Sequence, residues 1–301
     1  MKNNKFRAVV RQLVGAVTLT FIATLILVPG AWAARNQTLY AFTGGNDGGS
    51  PVAAVTFDAA GNLYGTAFNG GANGNGTVFK LTRNSDGSWT ESVLHTFCSF
   101  TSCGDGAQPG STLIFDAAGN LYGTARNGGT STQCAFGCGV VFQLVPNSDG
   151  SWTENVLYSF TRGADGGQPD AGLIFDQAGN LYGTASAGGG GCSCGVVFRL
   201  SPNGNGGWTE TVLHSFTGSD GNFSEAALIF DAAGNLFGTT VDGGTYRGGV
   251  VFELSPNSDG SWTETVLHHF TGGKDGGRPM TDWLSTMQES YTAQPIRGAA
   301  I

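Results

Sequence analysis

The stretch Asp58-Ala-Ala-Gly-Asn-Leu-Tyr-Gly-Thr66 recurs with few changes at 116–124, 176–184 and 231–239, spacings of 58, 60 and 55 residues. Trp89, Trp152, Trp208 and Trp262 keep the same beat, each followed by Thr-Glu, and so do Phe42, Phe97, Phe160, Phe216 and Phe270. A period of this length restricts the chain to stacked copies of one small unit. A single copy cannot bury its own apolar faces, so neighbours must do it.

The second unit shows what is stacked. Residues 113–115 (Leu-Ile-Phe) form a short apolar run. Asp116-Ala-Ala-Gly-Asn120 then reads as a tight turn, with side-chain oxygens that bond their own backbone. Residues 121–125 give a second strand, a long Gly/Cys loop follows, and 140–144 give a third. The turn Asn147-Ser-Asp-Gly150 favours a hairpin. The fourth strand, 152–160, alternates Trp152, Glu154, Val156, Tyr158 and Phe160 against Thr153, Asn155, Leu157 and Ser159. A Gly-rich loop, 161–169, leads into the next unit.

Four short antiparallel strands per unit predict an all-β, propeller-like array of about four four-stranded blades. The units lie near 52–97, 111–160, 171–216 and 226–270, inside a repeat domain of 38–279. An open or truncated propeller and a β-solenoid are the alternatives, although solenoid rungs are usually shorter. Glycine supplies 51 of 301 residues and charged residues only 12%, which suits turns and strands better than helices. Residues 38–42 match the end of a fourth strand, and 271–279 begin an aborted fifth unit. Residues 280–301 match nothing in the unit and are expected to be poorly ordered. A four-blade ring fits this pattern, and so does a shortened or frameshifted member of a longer array.

Residues 1–33 have the three-part layout of a secretory signal peptide. Lys2, Lys5, Arg7 and Arg11 precede an apolar run at 13–28, and Ala31-Trp-Ala33 offers a small-x-small cleavage site. The run is shorter than the roughly 20 residues of a membrane span, although an uncleaved anchor is the alternative. The expected location is secreted or extracytoplasmic, periplasm or cell surface, with no membrane span after cleavage. The formal charge of −8 deepens to −12 once the four leader bases leave. An acidic surface repels phosphate backbones, so nucleic acid is not the expected partner.

Export places the six cysteines in an oxidising compartment. They come as three close pairs, Cys98/Cys103, Cys134/Cys138 and Cys192/Cys194, and read as disulfides that pin loops. Zinc lacks a Cys-x2-Cys pair or a nearby histidine cluster. Connectivity stays open, since six cysteines allow about 15 pairings. In an up-and-down blade, loops one–two and three–four share one rim, and these are nearly invariant. The other rim carries all six cysteines and the changes in loop length. Variable loops on a rigid scaffold are where binding resides.

These units resemble the Gloeobacter–Verrucomicrobia-type (GloVer) tandem repeat of choice-of-anchor proteins. The resemblance rests on Asp116-Ala-Ala-Gly-Asn-Leu-Tyr-Gly-Thr124, Gly139-Val-Val-Phe142, Trp152-Thr-Glu154 and Gly163-Ala-Asp-Gly166, and spans 39–279. It implies an extracytoplasmic bacterial protein, often with a C-terminal sorting segment, and it implies no reaction. This sequence has no Leu-Pro-x-Thr-Gly motif and no Pro-Glu-Pro motif with an apolar tail, so no C-terminal anchor is expected.

No residue set announces a catalytic, cofactor or metal site. His95, His214 and His268 repeat at one place, where Tyr158 replaces them, which fits a structural role better than a tuned acid–base group. Asp58, Asp116, Asp176 and Asp231 open turns. Asp47, Asp105, Asp165, Asp220 and Asp275 precede glycines without an Asp-x-Asp-x-Asp-Gly calcium loop. Residues that break the repeat are the binding-face candidates: Arg126, Arg162, Asp170, Glu225, Asp242, Tyr246 and Arg247. The expected function is a secreted, non-catalytic β-repeat scaffold that binds an extracellular protein or glycan. The alternative is a secreted carbohydrate-active hydrolase or lyase using a carboxylate pair such as Glu225 and Asp242.

Overall fold

The computed structural model describes residues 37–280. The leader at 1–33 and the tail from 281 onward lie outside the described residues. The chain forms four antiparallel sheets in sequence order. The first holds β1 (Thr56–Phe57), β2 (Leu63–Ala67), β3 (Thr77–Arg83) and β4 (Trp89–Thr96). The second holds β5 (Ala107–Pro109), β6 (Ile114–Phe115), β7 (Leu121–Asn127), β8 (Val140–Pro146) and β9 (Trp152–Ser159). The third holds β10 (Ile174–Phe175), β11 (Leu181–Ala185), β12 (Val196–Pro202) and β13 (Trp208–Ser215). The fourth holds β14 (Ile229–Phe230), β15 (Leu236–Thr240), β16 (Val250–Pro256) and β17 (Trp262–His269). The all-β, propeller-like array of four four-stranded units is therefore present, with one extra short strand, β5, in the second sheet. A three-residue 3-10 turn, Thr101–Cys103, is the one helical element among the described residues.

The first turn of each unit forms for the reason its residues give. Asp116 Oδ1 accepts the backbone N–H groups of Ala118 and Asn120 at 2.9 Å. Its Oδ2 accepts Asn120 Nδ2 at 2.7 Å and the Tyr122 hydroxyl at 3.0 Å. Burial pushes this carboxyl up, but the hydrogen bonds outweigh it and hold the group below its ordinary value. Asp58 and Asp176 do the same, and Asp231 does so without a tyrosine because Phe237 stands there.

Sheets pack face to face through one recurring interface. Tyr64, Val78 and Phe97 of the first sheet share a core with Leu113, Leu121, Ala125, Val140, Phe142 and Leu144 of the second. Equivalent cores join the second sheet to the third and the third to the fourth. Phe97, Phe160 and Phe216 are at most 1% exposed, and burying each ring contributes about 1.5–3 kcal/mol. Each interface also carries a hydrogen bond. Thr66 Oγ1 donates to the Ser111 carbonyl (3.1 Å), Thr124 Oγ1 to Ala171 (3.0 Å) and Thr184 Oγ1 to Ala226 (3.4 Å). On the first sheet's free face, Tyr40 packs on Phe42 and Phe42 on Phe79, as Tyr158 packs on Phe160 and Phe160 on Phe198.

The fourth strand differs from its expected alternation. Val141 pairs with Tyr158 but Phe142 pairs with Val156, so Leu157 has no opposite residue. This β-bulge shifts the side chains by one place. Leu157 packs on the core between sheets two and three, while Val156 is 37% exposed. The same shift occurs in the other three sheets.

Candidate functional site

The variable rim is assembled by backbone pairing between the loop after each unit's second strand and the loop that enters that unit. Gly49 bridges Asn69, Gly167 bridges Ala187 and Asn222 bridges Asp242, while Ala107 of β5 pairs with Asn127 of β7. The cysteines lie on these loops and pair locally, Cys98–Cys103, Cys134–Cys138 and Cys192–Cys194. Within these rings Cys98, Ser102, Cys103 and Ser193 hold positive φ, a left-handed backbone that non-glycine residues seldom adopt. A cleft of about 860 Å³ opens on this rim, lined in part by Ser102, Gln108, Asn127, Thr132 and Phe136. Phe136 is 78% exposed. A second cleft, about 600 Å³, is lined by Ser219, Asn222, Asp242, Arg247 and Arg278.

Two of the repeat-breaking residues come together. Arg126 Nη1 donates to Asp170 Oδ2 at 2.5 Å, linking the second and third sheets. Burial pushes Asp170 up to about 7; the Arg126 guanidinium opposes this and the charge on Glu225 adds to it. Asp242 instead faces Arg278, Nε to Oδ1 3.3 Å, and shares its cleft with Arg247. Glu225 and Asp242 thus have different neighbours, and no contact joins them among the described residues. Tyr246 is 61% exposed, and Arg162 takes a positive φ in a tight loop where its N–H meets the Gly166 carbonyl at 2.7 Å.

Sequence reasoning passed over the glutamates of the Trp-Thr-Glu motif. Glu91, Glu154, Glu210 and Glu264 each bury Oε1 with no hydrogen-bond partner. Burial, then the charge of Asp105, pushes Glu154 up to about 8. Burial with Asp165 brings Glu210 to about 7, and burial with Asp220 brings Glu264 to about 7. The repetition of this acid on a strand of threonines was the available signal. Across the interface stands the repeated His or Tyr with its own aspartate: His214 Nε2 lies 3.2 Å from Asp220 Oδ2, and the Tyr158 hydroxyl donates to Asp165 at 3.1 Å. Burial lowers His214, with Asp220 opposing. Donor atoms of His214, Asp220 and Glu264 lie within 4.8 Å of one another, a set that a divalent cation could use. The neighbouring interface keeps the carboxylates but has Tyr158 in place of the imidazole, consistent with a structural contact.

Among solved structures the chain is similar to a gluconolactonase, XC5397 of Xanthomonas campestris, at 16% identity and a TM-score of 0.45. That match covers 75% of this chain and 63% of the other, so the chain spans under two thirds of that relative. It is also similar to PorZ, a surface component of the type-IX secretion system of Porphyromonas gingivalis, at 15% identity and a TM-score of 0.43, covering 71% of this chain and 26% of PorZ. A luciferin-regenerating enzyme matches at 14% identity and a TM-score of 0.37, covering 76% and 64%. Comparison with curated protein sequences gave no significant match. The family model of the Gloeobacter/Verrucomicrobia repeat matches residues 32–206 and again 130–298. With its four sheets in the repeat's register and that match over nearly all of its length, the chain belongs to the Gloeobacter/Verrucomicrobia repeat family.

Proposed function

We propose that this chain is an extracytoplasmic, non-catalytic scaffold that binds a protein or glycan partner through its cysteine-bearing rim. The observation that carries this reading is the uncharged lining of the larger cleft: hydroxyls, amides and the exposed Phe136 ring among glycines, alanines and disulfide-bonded cysteines. Those groups hydrogen-bond and stack on a partner, but none of them is a proton-transfer group near neutral pH. Three of the six candidate charges on the rim are paired off, Arg126 with Asp170 and Asp242 with Arg278. Export would follow from the leader at 1–33, and the three disulfides and the absence of a long apolar helix among the described residues are consistent with it. A glycan-array and glycoside-hydrolysis screen of the exported chain tests this reading. Binding without turnover, weakened by Phe136→Ala, is expected; turnover would overturn it.

One observation favours a second reading. Burial, with the charge of Glu225 adding to it, pushes Asp170 up to about 7 despite its Arg126 partner, and a raised carboxyl is what a glycosidase uses as its general acid. A carbohydrate-active enzyme would lose its activity in Asp170→Asn, whereas the scaffold would keep its binding.

A further inference from the structure

Three faces in this molecule are covered in the same way, and a fourth is not. On the covered faces, Tyr64, Tyr122 and Tyr182 meet Phe115, Phe175 and Phe230 of the next sheet edge to face, with centroids 5.0–5.1 Å apart. On the outer face of the fourth sheet, Phe237 stands at the tyrosine position with no such partner among the described residues and is partly exposed. Val251 is partly exposed, where its counterparts Val78, Val141 and Val197 are 0% exposed. The His268 side chain is 48% exposed against 18% for His214, and no glutamate faces its Asp275 among the described residues.

Thr239 is the sharpest sign. It is 1% exposed, and its hydroxyl has no hydrogen-bond partner among the described residues. Its three counterparts each donate to a backbone carbonyl of the following sheet. The loop toward a following sheet is already built. Arg278 N–H donates to the Gly248 carbonyl at 2.7 Å, as Gln108 does to Asn75 and Gln168 to Cys138. The Pro279 ring lies against Gly249 as the Pro169 ring lies against Gly139.

The sequence that follows names the missing cover. When the third base of each codon is read with the first two of the next, the Met287–Gln288 junction can only specify Ala. At the other junctions across residues 283–295 synonymous codons allow several residues each, and among those allowed is the string Ala-Phe-Asp-Asp-Ala-Gly-x-Leu-Tyr-Gly-Thr-Ala, in which x cannot be Asn. Nine of these twelve positions match residues 114–125. The displaced Phe codon starts 17 bases after the start of the Pro279 codon, where Phe115 starts 18 after Pro109, so one base separates the two frames.

We propose that the outer face of the fourth sheet is a docking surface for one further sheet of this same repeat, whose opening turn and second strand are encoded one base out of frame in residues 283–295. That sheet would bring a Phe to Phe237, a backbone carbonyl to Thr239 and a Trp-Thr-Glu glutamate to the His268–Asp275 pair. A second copy docked head to tail fits less well, because Tyr40 and Phe42 already occupy the part of the first sheet's face that Phe270 would need.

The test compares the full chain with one in which residues 280–301 are replaced by residues 110–160, the run that follows Pro109. In the full chain, Thr239→Val removes an unpartnered hydroxyl, so the melting midpoint is expected to hold or rise. In the grafted chain the same substitution removes an interface hydrogen bond, and the midpoint is expected to fall by about 2–4 °C. The same sign in both chains would overturn the proposal. So would a dimer of the full chain that Val251→Lys dissociates, since the occupant would then be a second copy. Should the graft fail to fold, the coding DNA decides: bases that give an unrelated peptide across 283–295 in the displaced frame would also overturn it.

Discussion

Two glycines of the second sheet illustrate how closely single residues are specified. Gly123 is central in β7, and a Cβ there would lie 2.7 Å from the Phe142 ring and 2.8 Å from Leu113. Gly119 has open space around it but a φ of +86°. Gly123→Ala is therefore expected to cost about 1–3 kcal/mol by overpacking, and Gly119→Ala about 1 kcal/mol by backbone strain alone. Urea denaturation of the two variants should separate them in that order. Asp176 is a similar case, because its two oxygens accept four hydrogen bonds that hold one turn. Asp176→Ala is expected to destabilise by about 2–3 kcal/mol, read in the same way. The turn aspartates were fully legible in the sequence, since their bonding is local. The buried glutamates were not, because their burial comes from the neighbouring sheet and no single unit contains it.

At the scale of the sheet, the interfaces make stability depend on pH. Glu154, Glu210 and Glu264 have folded values of about 8, 7 and 7 against an ordinary 4.5. The folded chain holds these protons more tightly than the unfolded chain does. Their contribution is complete below about 4.5 and is lost as the pH rises through 7 to 8. The turn aspartates act in the opposite sense: their folded values are depressed, so their contribution is lost as the pH falls below about 3.8. The melting midpoint is expected to peak between roughly pH 4 and 6 and to decline toward pH 8.5. Glu154→Gln should shrink that alkaline decline without abolishing it, because Glu210, Glu264 and Asp170 keep their raised values; a midpoint that rises steadily to pH 8.5 would show that these carboxyls ionise freely. The strand pattern itself was readable up to the bulge. Alternation correctly placed Trp152 and Glu154, then failed at Leu157, because a bulge is set by pairing with β8 and by the packing of the adjacent sheet.

At the scale of the whole molecule, repetition builds the scaffold and departures from it build the rim. The disulfides close rings with sequence separations of only 5, 4 and 2 residues. Rings that small remove little freedom from the unfolded chain compared with long loops. Reduction is therefore expected to leave the sheets folded, with an unchanged far-ultraviolet spectrum, while rim loops become cleavable near residues 98–103 and 128–139. Fold class and rim were legible because period and strand parity are properties of the chain. The pairing of Arg126 with Asp170 was not, because those residues stand 44 positions apart and meet only through the stacking of two sheets. The most direct measurement is a parallel binding and turnover assay on glycan arrays and chromogenic glycosides. It would compare the chain, Asp170→Asn, and a variant whose loop 128–139 is replaced by the shorter loop 70–76. Binding that survives Asp170→Asn, vanishes on the loop exchange and is never accompanied by turnover is the predicted result. Turnover that Asp170→Asn abolishes, or binding indifferent to the loop exchange, would contradict it.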